Sequence, residues 1–182
     1  METTFTNKPR MTAEEYFRTT PETTQPTELL DGEIVCLASP TRRHQRITGG
    51  VFAELRQYIK ANGGGCEPYV SPMDVRLDDF NIVQPDVFVI CDPDKMTEHF
   101  LDGAPDFVAE VVSSNRSDDF DRKLLLYSRS GVREYWIIDP FHEKTVVYFF
   151  EEGSFPNIYT FDMPIPVSIY GGKLAIRIAD LL

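Results

Sequence analysis

Residues 105–140 read PDFVAEVVSSNRSDDFDRKLLLYSRSGVREYWIIDP, which parses as a strand, a helix and a second strand in one run. In FVAEVV (107–112) a period of two sets Val108, Glu110 and Val112 on one face and Phe107, Ala109 and Val111 on the other. Both faces are apolar except at Glu110, and a carboxylate in the middle of a buried strand is costly unless it is paired or binds a metal. Ser117 is placed to cap a helix over 118–130, with Asp118 and Asp119 in its first turn and Gly131 at its end. The core stripe of that helix takes Phe120, Leu124 and Tyr127, and Lys123 projects along the edge of the stripe toward the sheet. Taken singly, Glu110 reads equally well as half of a buried salt bridge, and Lys123 as a snorkelling side chain with its ammonium in water.

Upstream, QPDVFVI (84–90) puts Asp86 just after a proline, at the start of another apolar strand, although both residues are also common in turns. EPYVS and MDVRL precede it as short strands, and EYWIID, TVVYFF, NIYTF and LAIRI follow the helix. ELLDGEIVCL (28–37) carries two apolar runs around Asp31-Gly32, the signal of a two-residue β-hairpin turn. Ile47, Val51, Leu55 and Tyr58 or Ile59 recur at helical spacing from about Arg43 to Asn62, with Gly63 at the cap position. A polar lead-in over 1–25, read as peripheral, contains one short helix, MTAEEYF, capped by Thr12, and residues 26–182 are expected to form a single domain. The expected fold is α/β: a mixed sheet with helices packed against it and an N-terminal hairpin.

Bulk properties agree with one folded unit. A chain of 182 residues buries roughly 70% of its unfolded surface on folding. Apolar residues make up 42% and charged residues 26%, which excludes a disordered chain. The start has no apolar leader, no stretch is long enough to span a bilayer, and a cytoplasmic setting is expected. Cys36, Cys66 and Cys91 are read as small buried hydrophobes, with no disulfide or zinc pattern. A net charge of −11 argues against a general nucleic-acid coat protein but leaves room for a local positive field at a cleft. Arg42, Arg43 and Arg46 form the densest acid-free basic cluster, and Arg116, Arg122, Arg129 and Arg133 surround Lys123. Joined in space these would make a positive rim; alternatively Arg122 and Arg129 pair with Asp118, Asp119, Asp121 or Glu134 on a solvated helix.

Carboxylates beside a lysine suit phosphodiester hydrolysis. Hard oxygens hold Mg²⁺ or Mn²⁺, the metal polarises the phosphate and acidifies a bound water, and the ammonium faces the developing oxyanion. Competing motifs fail: Gly63-Gly64-Gly65 follows a helix, there is no Gly-X-Ser-X-Gly elbow, and His44, His99 and His142 lack metal-ligand spacing.

Through MTAEEYF, ELLDGEIV, the His44-Gln45 pair, QPDVFVI, residues 105–140 and VVYFF, the chain resembles the Uma-two family, a branch of the PD-(D/E)XK restriction-endonuclease-like superfamily. The resemblance implies a restriction-endonuclease-like core in which Asp86 is the aspartate of the Pro-Asp element and Glu110 the strand glutamate. Val112 stands where the wider superfamily has the lysine of Glu-X-Lys, and the resemblance moves that lysine to Lys123. It also implies Glu28 and the Val111 carbonyl as further metal ligands, His44 as a phosphate or capping residue, Mg²⁺ or Mn²⁺ as cofactor, DNA as substrate and a homodimer as the working form. Together with Arg42, Arg43, Arg46 and Arg116, His44 makes up the expected nucleic-acid contacts. Two other readings stay open: a silent module of this fold that binds a protein or nucleic acid, and hydrolysis of a smaller phosphate ester.

Overall fold

The computed structural model describes residues 10–20, 26–113, 117–153 and 155–182, and of residues 117–120 the backbone alone. In chain order these form α1 (Ala13–Thr19), β1 (Thr27–Leu30), β2 (Glu33–Cys36), α2 (Arg42–Asn62), β3 (Glu67–Val70), β4 (Asp74–Asp78), β5 (Asn81–Val83) and β6 (Val87–Ile90). There follow β7 (Phe100–Asp102), β8 (Phe107–Val111), α3 (Ser117–Ser130), β9 (Glu134–Asp139), β10 (Lys144–Phe149), β11 (Asn157–Thr160), β12 (Ile165–Pro166) and β13 (Ala175–Ile176).

The central sheet has six strands in the order β11-β10-β9-β8-β6-β3. Only its β8–β9 pair is parallel, and α3 is the crossover that a parallel pair requires. A second sheet, β2-β1-β5-β4-β7, grows from the hairpin and ends in a parallel β4–β7 pair. The architecture is the expected mixed α/β one, with the difference that the hairpin nucleates a sheet of its own. Strands β5, β7 and β12 have no signature in the sequence, because two or three residues are too few to display alternation.

Each face of the central sheet is buried. On one, Phe107, Ala109 and Val111 pack with Ile47, Val51 and Leu55 of α2. On the other, Val108 joins Leu126 and Tyr127 of α3 and Leu30, Val75 and Val83 of the second sheet. The alternation in β8 thus sends alternate side chains into different cores, and Glu110 points toward α3. Leu126, left out of the expected stripe, belongs to that core, while the side chain of Phe120 and any capping by Ser117 lie outside the described residues.

Two expectations are corrected. Helix α1 is not peripheral: its Ala13 and Tyr16 are buried against Leu29 and Ile82, and the Tyr16 hydroxyl donates to the Thr27 carbonyl at 2.9 Å. Cys66 and Cys91 are joined in a disulfide and Cys36 is exposed. The two bonded cysteines flank the Glu67–Ile90 pair of the antiparallel β3–β6 ladder, a juxtaposition that 25 residues of separation conceal in the sequence. No helix among the described residues is long and apolar enough to cross a membrane.

The hairpin turn is built as its sequence requires, with φ of 51° at Asp31 and 80° at Gly32, the double positive pattern of a type I′ turn. A Cβ at Gly32 would sit 2.7 Å from the Cβ of Arg10. Gly32→Ala is therefore expected to destabilise the protein by about 1–3 kcal/mol, read as a lower midpoint in urea; an unchanged midpoint would contradict this account of the turn.

Candidate active site

Strand β8, the residue before β6, strand β1 and helix α3 converge at the C-terminal end of β8. Glu110 Oε1 accepts from Lys123 Nζ at 2.9 Å and from the Tyr127 hydroxyl at 2.8 Å. Lys123 Nζ also donates to Glu28 Oε1 at 2.8 Å, and the same oxygen accepts from the backbone N–H of Gln84 at 2.8 Å. Side-chain exposure is 0% for Glu28, 6% for Lys123, 7% for Glu110 and 15% for Asp86.

Asp86 is held from the other side. Its Oδ2 accepts from the Val111 backbone N–H at 2.8 Å and lies 3.1 Å from His44 Nε2. His44 sits in the first turn of α2, where its N–H donates to the capping Thr41 hydroxyl. Burial disfavours charge on the imidazole, but the hydrogen bond and charge of Asp86, with Glu110 and the Val111 carbonyl, outweigh it and raise its pKa. His44 thus faces Asp86 from the first turn of its helix.

Asp86, Glu110, Lys123 and His44 all line one cavity, together with Pro26, Leu37, Pro40 and Pro72. Glu28 does not line it and stands behind Lys123. Burial pushes the Glu110 carboxyl up to about 7; Lys123 opposes this, and the charges of Asp86 and Glu28 reinforce it. Burial first, then the charge of Glu110, with Tyr135 and Glu28 beside it, hold Tyr127 far above the ordinary tyrosine range, so that it stays a donor. Tyr127 enters this constellation from the core stripe. Its spacing of four residues from Lys123, one helical turn, is the signal that could have assigned it to the site.

No group of three His, Cys, Asp or Glu side chains among the described residues is arranged to hold a metal. The donor set nevertheless suits a divalent cation. Two carboxylates with hard oxygens, Asp86 and Glu110, reach one cavity, and burial first, then the charges of Asp86 and Glu28, disfavour ionisation of Glu110 against the pull of Lys123. Mg²⁺, which keeps several waters, needs no more than one or two such ligands.

Among the described residues, four of the arginines expected in a positive rim are engaged by acids. Arg122 donates to Asp31 Oδ2 at 3.1 Å and to the Leu30 carbonyl at 2.7 Å, and Arg129 approaches Asp31 and Asp78 at 3.5 and 3.9 Å. Arg133 binds Glu151 and Asp106, and Arg43 binds Glu143 and the Pro140 carbonyl. The acids that engage these arginines are distant in sequence, and the side chains of Asp118 and Asp119, local partners also considered for Arg122 and Arg129, lie outside the described residues. Glu134, expected as a solvated partner, is fully buried. Arg42 and Arg46 are exposed on α2, and Arg116 lies outside the described residues.

Residues 13–165 match the family model Uma2, described as "Putative restriction endonuclease". A relative from Synechocystis sp. (strain ATCC 27184 / PCC 6803 / Kazusa), the "Uncharacterized protein sll1609", is 28% identical over 138 residues, 72% of this chain and 76% of the relative. In three dimensions the chain is similar to a "putative nuclease belonging to DUF820" from Anabaena variabilis ATCC 29413, with a TM-score of 0.79 at 20% identity. That likeness covers 94% of this chain and 97% of the other, and establishes the shared fold.

Removing the lysine tests the electrostatics. Lys123→Met leaves Glu28 and Glu110 buried without their cation, a loss of about 3–5 kcal/mol in urea unfolding at pH 8. A carboxyl whose pKa is raised by folding loses stability as pH climbs from its unfolded value to its folded one. Since Glu110 takes up its proton near 7, the loss should be clearly smaller at pH 5; equal losses at both pH values would contradict the network.

Proposed function

The chain belongs to the Uma2 family, and from that membership we propose that it is a metal-dependent endonuclease hydrolysing phosphodiester bonds in DNA, as a homodimer. Membership makes the chain nuclease-like, and the metal, the substrate and the pairing are this reading's additions. The observation that carries it is the approach of Asp86, Glu110 and Lys123 to one cavity.

In this reading Asp86, Glu110 and the Val111 carbonyl hold Mg²⁺ or Mn²⁺. When bound, the metal supplies Lewis acidity toward the phosphate and lowers the pKa of an attacking water. Tyr127 and Lys123 pin Glu110 Oε1, which leaves Oε2 for the cation. The Val111 N–H and His44 orient Asp86 from the opposite side. Lys123 brings a positive charge to the oxyanion that develops on the phosphate. Arg42 and Arg46, exposed beside His44 on α2, suit contact with the nucleic-acid backbone. The reading includes a cytoplasmic setting, in which reductants would hold Cys66 and Cys91 as thiols.

A catalytically silent binding module is the second reading, favoured by the net charge of −11 and by the arginines committed to internal pairs. Two measurements separate them. Purified protein should nick plasmid DNA with Mg²⁺ or Mn²⁺ and stop on addition of EDTA, and Asp86→Asn or Glu110→Gln should each reduce cleavage by about 100-fold or more. Calorimetry should register Mn²⁺ binding that Asp86→Asn abolishes. Metal-independent cleavage, or cleavage intact in both variants, would sink the proposal, and absence of Mn²⁺ binding would favour the silent module.

A further inference from the structure

The geometry points to Glu28 as a positioning residue that fixes the Lys123 ammonium and takes no part in metal ligation, an inference that rests on the nuclease reading above. Glu28 is the most deeply buried of the site carboxylates and, unlike Asp86 and Glu110, does not line the cavity. Its Oε1 is fixed by two donors at 2.8 Å, the Gln84 N–H and Lys123 Nζ. Gln84 is bound in turn, its side-chain amide donating to Asp74 at 2.8 Å. Glu28 Oε2 is buried with no hydrogen-bond partner among the described residues, so in a low-dielectric setting the carboxylate acts on the nearest cation, Lys123.

A lysine needs such a post because its four-carbon stem is flexible. Paired with Glu110 alone, the ammonium would follow the carboxylate that the metal requires and compete for it. With Glu28 behind it, the ammonium is shared between two acids and keeps its place when Glu110 turns to a cation. The backbone N–H that anchors Glu28 lies two residues before Asp86, so one short segment registers the lysine and a metal-ligating carboxylate against each other.

The test compares wild type, Glu28→Gln and Glu28→Asp by Mn²⁺ calorimetry, by amine acylation mapped with mass spectrometry and by cleavage kinetics, with urea midpoints to verify that each variant is folded. Exposed Lys60, Lys144 and Lys173 serve as acylation references. Positioning predicts that Glu28→Gln leaves Mn²⁺ affinity within about twofold while acylation of Lys123 rises about tenfold. It predicts too that kcat falls about 10- to 100-fold with KM nearly unchanged, that Glu28→Asp restores part of it, and that Glu28→Gln costs nothing more in a Lys123→Met background. Mn²⁺ affinity reduced by about tenfold or more in Glu28→Gln would make Glu28 a ligand and overturn the proposal. Unchanged acylation of Lys123 in that variant would overturn it as well. A wild type that binds Mn²⁺ and cuts nothing defeats the nuclease reading, while acylation and affinity still decide the role of Glu28.

Discussion

The buried ammonium of Lys123, shared between Glu28 and Glu110, is the constraint around which the molecule is assembled. Neither carboxylate belongs in an apolar interior alone, since desolvating an ion costs several kcal/mol that only close pairing and hydrogen bonds offset. The three residues come from three elements, β1 of the second sheet, β8 of the central sheet and helix α3. Satisfying one charge network therefore requires both sheets and the crossover helix to dock in a single arrangement. Tyr127 contributes a ring to the core and a hydroxyl to Glu110, so packing and polar registration act through one side chain.

Around that centre, further ion pairs tie the periphery to the same docking. Arg122 holds the tip of the β1–β2 hairpin through Asp31 and Leu30, one residue before Lys123 on α3. Farther off, buried Glu134 accepts from Trp136 Nε1 at 2.8 Å and from the Ile169 N–H at 2.9 Å, which fastens the C-terminal segment against β9. Burial raises its pKa, and its backbone and Trp136 donors work against that rise. Asp31 and Asp106 are engaged by arginines and Glu134 by Trp136 and a backbone amide, and the cavity lining includes Lys123 and His44. A net charge of −11 is unfavourable to loose electrostatic capture of a polyanion.

Much of this was legible in the sequence, and the reasons differ by residue. Period-two alternation in FVAEVV assigned Glu110 to the face that meets α3, helical spacing turned Lys123 toward the sheet, and Asp31-Gly32 specified the hairpin turn that is observed. These signals are local: they depend on backbone periods and on φ preferences within a few residues. The lead-in helix was legible as a helix through its Thr12 cap, which the structure completes as a capping box with Glu15, yet its burial was not, because the partners Leu29 and Ile82 lie on strands met later in the chain.

By itself, then, the sequence determined the longer elements, their amphipathic faces and the residue types that a metal-assisted hydrolysis would use. The tertiary structure decided the partnerships: Glu28 with Lys123, His44 with Asp86, Arg122 and Arg129 with Asp31, Cys66 with Cys91. Each of these joins groups 25 to 98 positions apart. Charge and hydrogen bonding act over a few ångströms of space and carry no mark in the chain of which distant residue will occupy that space.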